Sequence, residues 1–572
     1  MAAFFVLPDN DHSAAACQRL DELHRQHGFE LSRRISVDGF LLYLYRKLDG
    51  YGGHYVEFGD DRFACHVGQL VYRGASGTEG LSRYCADLEQ GKLVQDRAVG
   101  QFALLLKDKD GLRITTDAYG FYQIYVNEMA GIATSSFWAL LELLQKVTVD
   151  PSGVYEYAWN GTTFGPKTFV REIRRLPPRS FLAFNETAMM IHTTARAPSS
   201  ALAVRKFDSY VEEHCERLKR LFNDLATAFG ENLHVSFSGG YDSRLILAGL
   251  SAAGLRPRLF VYGKEHDLDV AIGRQIASQE GLQIDVIDKF PLDGKSDDWL
   301  AQQQSDFVLF DAWKVDGIFD NGADAIDRRR RHEDGRVPLN GSLGEIYRNF
   351  FYVPDRTLAL EDVVSSFFST YDPRACTGQF SAANYRDELV QTFQSELGST
   401  ETHVARSTVE SLYPLIRGRY WTGRDANLNA RFGRMVFPFM QAQLIDGTPD
   451  IPIQFKTHGR LEGAMIARLS PSIAGHPSVY GYRFSDPPPL AHRARNWLTL
   501  FRPPSLRRYS YRLRFSRPQP RPDFLSTEKL AQLLDVSLPY MQRYFHADRI
   551  HDPDAFNRVV TMEYIFQRYG TQ

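Results

Sequence analysis

The feature of the sequence that most restricts the possible folds is a regular alternation of strand-like and helix-like segments that begins near residue 233. Short apolar runs typical of strands occupy Leu233–Phe237, Arg258–Tyr262 and Leu282–Ile287. Segments with helical spacing of apolar residues, Ser243–Ala253 and Asp269–Glu280, lie between them. Successive strands separated by helices form βαβ units, in which the strands run parallel. The pattern therefore predicts an α/β region with a parallel sheet and added helices.

The first part of the chain has a different rhythm. Short β-type runs at Phe102–Leu106, Arg113–Thr116 and Gln123–Val126 are separated by turn sequences rich in Asp, Lys and Gly. Strands at such close spacing are typical of antiparallel hairpins. We therefore predict two domains: an α+β antiparallel sandwich over residues 1–195, and the parallel-sheet α/β domain over residues 205–572.

Composition excludes several classes of protein. The 572 residues carry a formal net charge of -2, which argues against a protein that mainly wraps nucleic acid. The five cysteines are far apart and form no Cys-x-x-Cys pair, so neither a disulfide framework nor a structural zinc site is expected. The apolar run Ala2–Leu7 is too short for a signal sequence, and no stretch has the length of a membrane span. We expect a cytoplasmic protein.

The loop after the first parallel strand has the sequence Ser-Gly-Gly-Tyr-Asp-Ser at 238–243. A strand that ends in a glycine turn before a helix leaves backbone N–H groups pointing outward at the helix N-terminus, where they can bind phosphate. The serines add hydroxyl groups, and Asp242 could hold Mg²⁺ through its carboxylate. The loop lacks the Gly-Lys-Ser/Thr of a Walker A motif. An ordinary glycine turn is the alternative. The phosphate-binding residues predicted here are Ser236, Ser238, Gly239, Gly240, Asp242 and Ser243.

A second loop, about a hundred residues later, follows the short apolar strand in Arg336–Leu339. It contains Asn340, Gly341 and Glu345. Because the strand ends of a parallel sheet meet at one edge, we expect Glu345 to lie near Asp242 and to share a bound metal ion with it. A surface turn with a solvated glutamate is the alternative interpretation.

The order of these motifs resembles asparagine synthetase and its relatives, which include β-lactam synthetases and lasso-peptide cyclases. The 238–243 loop is similar to the pyrophosphate-binding loop of adenylating ATP pyrophosphatases. Segments 100–106, 117–125, 133–141 and 173–180 are similar to the glutaminase-type N-terminal domain of that family. The resemblance implies ATP and Mg²⁺ as cofactors, with the adenine near Tyr262. It implies a ligase that adenylates a small-molecule or peptide carboxylate and passes it to an amine donor.

The sequence departs from the family at three places. The start is Met-Ala-Ala, so removal of Met1 does not expose the N-terminal cysteine that such glutaminases use, and Cys17 could become N-terminal only through a longer cleavage. Ser342 stands where asparagine synthetases carry a glutamate. Gly463 aligns with the catalytic lysine of the family, so Lys456, Arg460 or Arg468 is the candidate for the positive charge that stabilises the reacting groups. An ordinary surface charge is the alternative interpretation of each.

These departures leave three functions open. The protein could join a carboxylate to a separate amine without its own glutaminase, or it could close a lactam or peptide macrocycle within one molecule. It could also be a non-catalytic scaffold that retains the fold. No nucleic-acid partner is expected, and the sequence does not give the oligomeric state.

The segment 491–522 contains nine arginines and no acidic residue. A solvated loop, a clamp for an acidic substrate or carrier, and a nucleic-acid contact are the three interpretations of this composition.

Overall fold

The computed structural model describes residues 2–51, 54–59, 61–92, 94, 97–185, 188–194, 205–288, 298–503, 506–507 and 519–571. Strands of a first antiparallel sheet are Ala3–Pro8 (β1), Leu31–Val37 (β2), Phe40–Tyr45 (β3), Tyr125–Asn127 (β10), Ile132–Thr134 (β11) and Arg174–Arg175 (β12). Strands of a second are Tyr55–Glu57 (β4), Phe63–Gly68 (β5), Phe102–Asp108 (β8), Gly111–Thr116 (β9), Ser180–Asn185 (β13) and Ala188–Thr193 (β14). Their spatial orders are β12-β10-β11-β1-β3-β2 and β14-β13-β9-β8-β5-β4.

The parallel sheet has the order β17-β16-β15-β18. Its strands are Leu233–Ser236 (β15), Arg258–Tyr262 (β16), Ile284–Ile287 (β17) and Val337–Leu339 (β18). Two small antiparallel pairs are formed by Val71–Tyr72 (β6) with Ala75–Ser76 (β7), and by Leu358–Ala359 (β19) with His403–Val404 (β20).

The helices surround these sheets, and a π-helix over Tyr413–Thr422 joins two of them. Helices before the end of the parallel sheet are Asp11–Gln26 (α1), Gly77–Glu89 (α2), Phe137–Leu143 (α3), Pro151–Asn160 (α4), Phe207–Phe229 (α5), Tyr241–Ala252 (α6), Leu268–Glu280 (α7), Trp299–Leu309 (α8) and Ala323–His332 (α9). Those after it are Leu360–Phe367 (α10), Ala382–Leu397 (α11), Arg406–Leu412 (α12), Gly423–Phe432 (α13), Ala442–Ile445 (α14), Ile453–Lys456 (α15), Arg460–Leu469 (α16), Pro471–Ala474 (α17), Leu490–Phe501 (α18), Thr527–Leu530 (α19) and Pro553–Tyr569 (α20).

The two antiparallel sheets pack face to face around a shared apolar core. Alternate residues of each strand enter it, including Val6 and Leu42 from one sheet and Leu105 and Ile114 from the other. The prediction of antiparallel sheets followed by a parallel sheet with helices is thus confirmed. The proposed domain boundary, residues 195–204, lies outside the described part of the chain.

One expected hairpin is wrong. Strands β8 and β9 pair as predicted, but β10 lies in the other sheet, beside β11 and β12. The chain crosses between the sheets at a turn in which the buried carboxylate of Asp117 accepts backbone N–H bonds from Tyr119, Phe121 and Tyr122 at 3.3, 3.0 and 2.8 Å. This carboxylate satisfies backbone groups that a continuing ladder would have paired.

Asp311 links the N-terminal sandwich to the helices of the second half. Its carboxylate accepts bonds from Ser136 Oγ at 2.5 Å and from the backbone N–H of Phe137 at 2.9 Å, at the start of α3. Arg424 of α13 donates to the same carboxylate at 2.9 Å, and Arg431 lies 3.6 Å away. Burial opposes ionisation here, but the two arginines hold the pKa of Asp311 below its usual value. The buried cluster of Asp311 with these two arginines therefore holds the two halves of the chain together.

Within the described ranges, no helix is long and apolar enough to cross a bilayer. All five cysteines belong to the described residues, and each is buried with a free thiol.

We predict that Asp311→Asn lowers stability by about 3–5 kcal/mol, because two buried arginines lose their counter-charge. Asp548→Asn is the control, since its side chain is 82% exposed and surface pairs contribute little. Thermal unfolding of the three proteins measures the effect. Equal unfolding midpoints for both variants would show that Asp311 does not join the two halves.

Buried histidines predict sensitivity to acid. His24 is fully buried among Phe5, Tyr45 and Trp138, and burial lowers its pKa from 6.5 to about 3. Below pH 6.5, His24 is therefore protonated in the unfolded chain but not in the folded chain. Stability falls by about 1.4 kcal/mol per pH unit as the pH drops toward about 4.

His24→Phe should remove this part of the pH dependence. As the pH is lowered from 7 to 4, the unfolding free energy of the variant should increase steadily relative to that of the parent. His403→Phe, at an exposed position, should leave the slope as in the parent. A constant difference between the parent and His24→Phe across this range would contradict the assignment.

Candidate functional site

The two predicted loops meet at the carboxyl edge of the parallel sheet. Strands β15 and β18 are direct neighbours, with Val235 opposite Leu339, so the loops that follow them lie side by side. Between them is a cavity of about 300 Å³. Its lining residues are Ser236, Ser238, Asp242, Ser243, Asn340, Gly341, Ser342, Leu343, Glu345, Tyr413, Arg417 and Thr422.

The first loop has the geometry of an anion-binding turn. Gly239 adopts a left-handed φ of 66°, and a Cβ there would lie 3.0 Å from Ile272, so glycine is required for conformation and for space. The N–H of Ser238 donates to Ser243 Oγ at 3.2 Å. The N–H groups of Gly239 and Gly240 have no acceptor in the part of the chain that the structure describes. They precede the twelve-residue helix α6, whose dipole favours negative charge at this end.

The second loop packs directly against Asp242. The backbone N–H of Asn340, the first residue of this loop, donates to the carbonyl of Val436 at 3.1 Å. The Asn340 side chain accepts a bond from the N–H of Ser342 at 2.8 Å. A Cβ on Gly344 would lie 2.1 Å from Asp242 Oδ1. Only a residue without a side chain leaves room for the aspartate, so the two loops are matched in shape.

Arg348 ties these loops to α16. One of its nitrogens, Nη2, donates to Asp242 Oδ1 at 2.9 Å and Oδ2 at 2.7 Å. Glu345 lies 3.5 Å from the same nitrogen, and the Arg348 Nε lies 3.0 Å from Glu462. Three carboxyl groups therefore surround one guanidinium, and Glu462 is completely buried.

This crowding changes the protonation of the acids. Burial raises the pKa of Asp242 to about 6, an effect that Arg348 opposes and Glu345 reinforces. Burial and the Asp242 carboxylate raise the pKa of Glu462 well above its usual range. The protonated form of Glu462 is therefore favoured.

The π-helix supplies the far wall of the cavity. Tyr413 donates to Glu345 Oε2 at 2.5 Å. Arg417 is exposed and lies over the rings of Phe350 and Trp421 at 5.7 and 5.5 Å, and among the described residues no carboxylate pairs with it. A cation on the cavity wall without a protein counter-charge is available to an anionic ligand. π-Helices are rare and are frequent at functional sites.

The structure brings most of the predicted residues together. All but two of the predicted phosphate-binding and metal-binding residues of the two loops line the cavity. Those two, Gly239 and Gly240, shape the turn. Tyr262 does not line it, because its hydroxyl donates to Asp327 at 3.0 Å on the side of β16.

The three candidate cations also do not line the cavity, and Arg460 lies over the Phe207 ring at 4.3 Å. Lys456 is buried against Glu410 at 3.0 Å, and burial lowers its pKa. Arg468 is exposed and pairs with Glu212 at 2.8 Å. It is six residues from Glu462 on α16, roughly 240° around the helix, so the two side chains point away from each other.

Sequence reasoning missed Arg348, Glu462, Tyr413 and Arg417. The first follows Glu345 by three residues, and the second precedes Gly463, so the segments containing them were identified without their roles. Gly463 lies beside Tyr241 at the start of α6. The guanidinium of Arg348 lies over the same Tyr241 ring at 5.5 Å.

No protein-family model matches the chain, and no curated protein matches it. Two solved structures that are similar to it are the allosteric regulatory enzyme of purine biosynthesis and the glutamine phosphoribosylpyrophosphate amidotransferase from B. subtilis complexed with ADP and GMP. The identities are 10% and 9%, and both have a TM-score of 0.22. Each match covers 50% of this chain. The matched region spans 80% of the chain in the first structure and 65% of the chain in the second. A superposition of this quality does not establish a shared fold.

We predict that Gly344→Ala weakens binding of pyrophosphate in the presence of Mg²⁺ by about tenfold or more, because the new methyl group displaces Asp242. Gly378→Ala is the matched control, since nothing lies within 4 Å of a Cβ at that position. Isothermal titration calorimetry measures both affinities. Unchanged affinity in Gly344→Ala would mean that Asp242 is not part of an anion site.

Proposed function

We propose that the protein is an ATP-dependent amide ligase that forms an acyl-adenylate from a carboxylate substrate and transfers the acyl group to an amine. The observation that supports this most is the meeting of the 238–243 loop and the 340–345 loop around one cavity with Arg417. N–H groups and a cation without a protein partner among the described residues, together with hydroxyl groups and two carboxylates, are the groups that a metal-bound triphosphate requires.

Each group has a role in this proposal. Phosphate oxygens are bound by the N–H groups of Gly239 and Gly240 and by the hydroxyls of Ser238 and Ser243. The positive charge of Arg417 stabilises the negative charge of the departing pyrophosphate. Asp242 and Glu345 would hold Mg²⁺. The carboxylate and hydroxyl groups that face the cavity offer oxygen ligands, which Mg²⁺ prefers. No cluster of three or more His, Cys, Asp or Glu side chains that could hold a metal ion is present in the described ranges. Bound Mg²⁺ would neutralise phosphate charge.

Arg348 and Glu462 act as positioning residues. Arg348, which does not line the cavity, binds both oxygens of the Asp242 carboxylate. Burial favours the protonated form of Glu462, which would limit the negative charge that Arg348 must balance. Removal of either would leave buried, uncompensated groups next to the loop.

The reaction balances as two displacements. A carboxylate oxygen attacks the α-phosphorus of ATP, the bond to the β-phosphate oxygen breaks, and pyrophosphate leaves. The amine nitrogen then attacks the acyl carbon, the bond to AMP breaks, and a proton passes from nitrogen to solvent. The protein contributes orientation and charge stabilisation to both steps.

The amine does not come from a glutaminase in this proposal. Cys17 is buried within α1, and burial raises the pKa of its thiol, so the reactive thiolate is disfavoured. Ammonia, a free amine or an amine on the substrate itself would be the acceptor. A requirement for added ammonia or amine separates an intermolecular ligase from a cyclase.

The test supplies ATP, Mg²⁺, hydroxylamine and pooled carboxylic acids, and measures pyrophosphate, AMP and hydroxamate. Substrate-dependent release of AMP and pyrophosphate in equal amounts is expected. Asp242→Asn should reduce the rate by about 10²-fold or more. Asp387→Asn, at a position with 62% side-chain exposure, should react as the parent does.

Release of ADP and phosphate would contradict adenylation. Tight binding of Mg·ATP without turnover of any acid would favour the scaffold function over the ligase.

A further inference from the structure

Helix α18, Leu490–Phe501, projects from the protein and contacts it along one narrow face. The partly buried residues of this helix are His492, Asn496 and Leu500, which are spaced four apart and so lie in one row. Asn496 Nδ2 lies 3.1 Å from His458 Nδ1, and the His492 ring lies 5.5 Å from the Tyr482 ring. This row attaches the helix to the rest of the fold.

The apolar side of α18 faces solvent. Leu490, Ala494, Trp497 and Leu498 follow the spacing of a single helix face, and the three large side chains are 78%, 59% and 66% exposed. In a globular protein such a stripe normally faces the core. Here the helix presents it on the side opposite the row that attaches α18. A contiguous exposed apolar stripe marks an interaction surface.

Arginines border the stripe. At 100° per residue, Arg493 and Arg495 lie on opposite sides of the stripe, each roughly 100° from its centre. Arg502 follows directly at the end of the helix. The sequence from 487 to 522 contains nine arginines and neither aspartate nor glutamate. The described surface of α18 is therefore apolar along the stripe and cationic at Arg493, Arg495 and Arg502.

We propose that α18 binds the surface of a membrane rich in anionic lipid. An apolar stripe with arginines on both edges is the pattern of a helix that lies in the plane of the interface, with its apolar side chains among the acyl chains. Long arginine side chains reach back to the headgroups from such a position. Tryptophan favours the same depth. The complementary charge is the phosphate of the lipid.

Other anionic partners fit this helix less well. Phosphate contacts of a nucleic acid would use the arginines but leave the leucines and the tryptophan in water. A peptide partner would need a concave groove, whereas α18 is convex and exposed on three sides. A deformable lipid surface covers a convex apolar stripe completely.

Docking would place the candidate site near the lipid. His492 contacts Tyr482, whose hydroxyl lies 2.8 Å from that of Tyr241, the first residue of α6. The inference does not depend on the proposed function, because it rests on α18 alone.

The test is co-sedimentation of the full chain with vesicles of phosphatidylcholine alone or with about 30% phosphatidylglycerol. We expect binding to the anionic vesicles only, and a loss of binding at ~0.5 M salt, where charges are screened. No binding of the parent protein to the anionic vesicles at low salt would overturn the proposal.

Two pairs of variants identify the surface. Trp497→Glu with Leu498→Glu should reduce the partition coefficient by about tenfold or more, since the apolar contact is lost. Leu268→Glu with Met129→Glu is the matched control, because these residues are 59% and 101% exposed elsewhere. Arg493→Gln with Arg495→Gln should have a similar effect, with Arg329→Gln and Arg330→Gln of α9 as its control.

Thermal unfolding verifies that each variant is folded. Vesicle binding that all four variants retain would show that α18 is not the docking surface. Binding of polyuridylate that depends on Arg493 and Arg495, without vesicle binding, would replace the membrane with a nucleic acid as the partner.

Discussion

The guanidinium of Arg348 joins the three segments that build the candidate site, and the geometry of the cavity depends on it. It holds Asp242 in the first loop, lies beside Glu345 in the second and reaches Glu462 in α16. One cation cannot balance three ionised carboxylates in a buried position, so one of them keeps its proton. Glu462 is completely buried, and burial and the Asp242 carboxylate raise its pKa, so its protonated form is favoured.

The fold makes this arrangement possible through strand order. Neighbouring β15 and β18 end at the same edge, although the described residues between them form two other strands and four α-helices. Gly341 and Gly344 then allow the second loop to lie against Asp242 without a side chain between them. The π-helix closes the cavity with Tyr413 and Arg417. Asp311 lies at the junction of the two halves and links the N-terminal sandwich, through Ser136, to Arg424 of α13, the helix that follows the π-helix.

The sequence predicted those parts of the site whose signals are local. Strand β16 has the predicted bounds, and the glycine loop and the second loop were identified because each follows a strand. Arg417 gave no signal, since it lies in a π-helix that reaches the site only through tertiary packing. The cations proposed from alignment, Lys456 and Arg468, pair with other acids instead. Local pattern also failed at β10, where the buried turn at Asp117 sends the chain into the other sheet.

The central claim is that the cavity between the two loops binds the phosphates of Mg·ATP. The most direct measurement is a crystal structure of the full chain with Mg²⁺ and α,β-methylene-ATP, whose non-cleavable bond preserves the triphosphate. The account predicts phosphate density between residues 238–243 and 340–345, with oxygens within hydrogen-bond distance of Gly239 and Gly240 N–H and with Arg417 turned toward the phosphates. Nucleotide density at another place in the protein, with this cavity empty at saturating nucleotide, would contradict it.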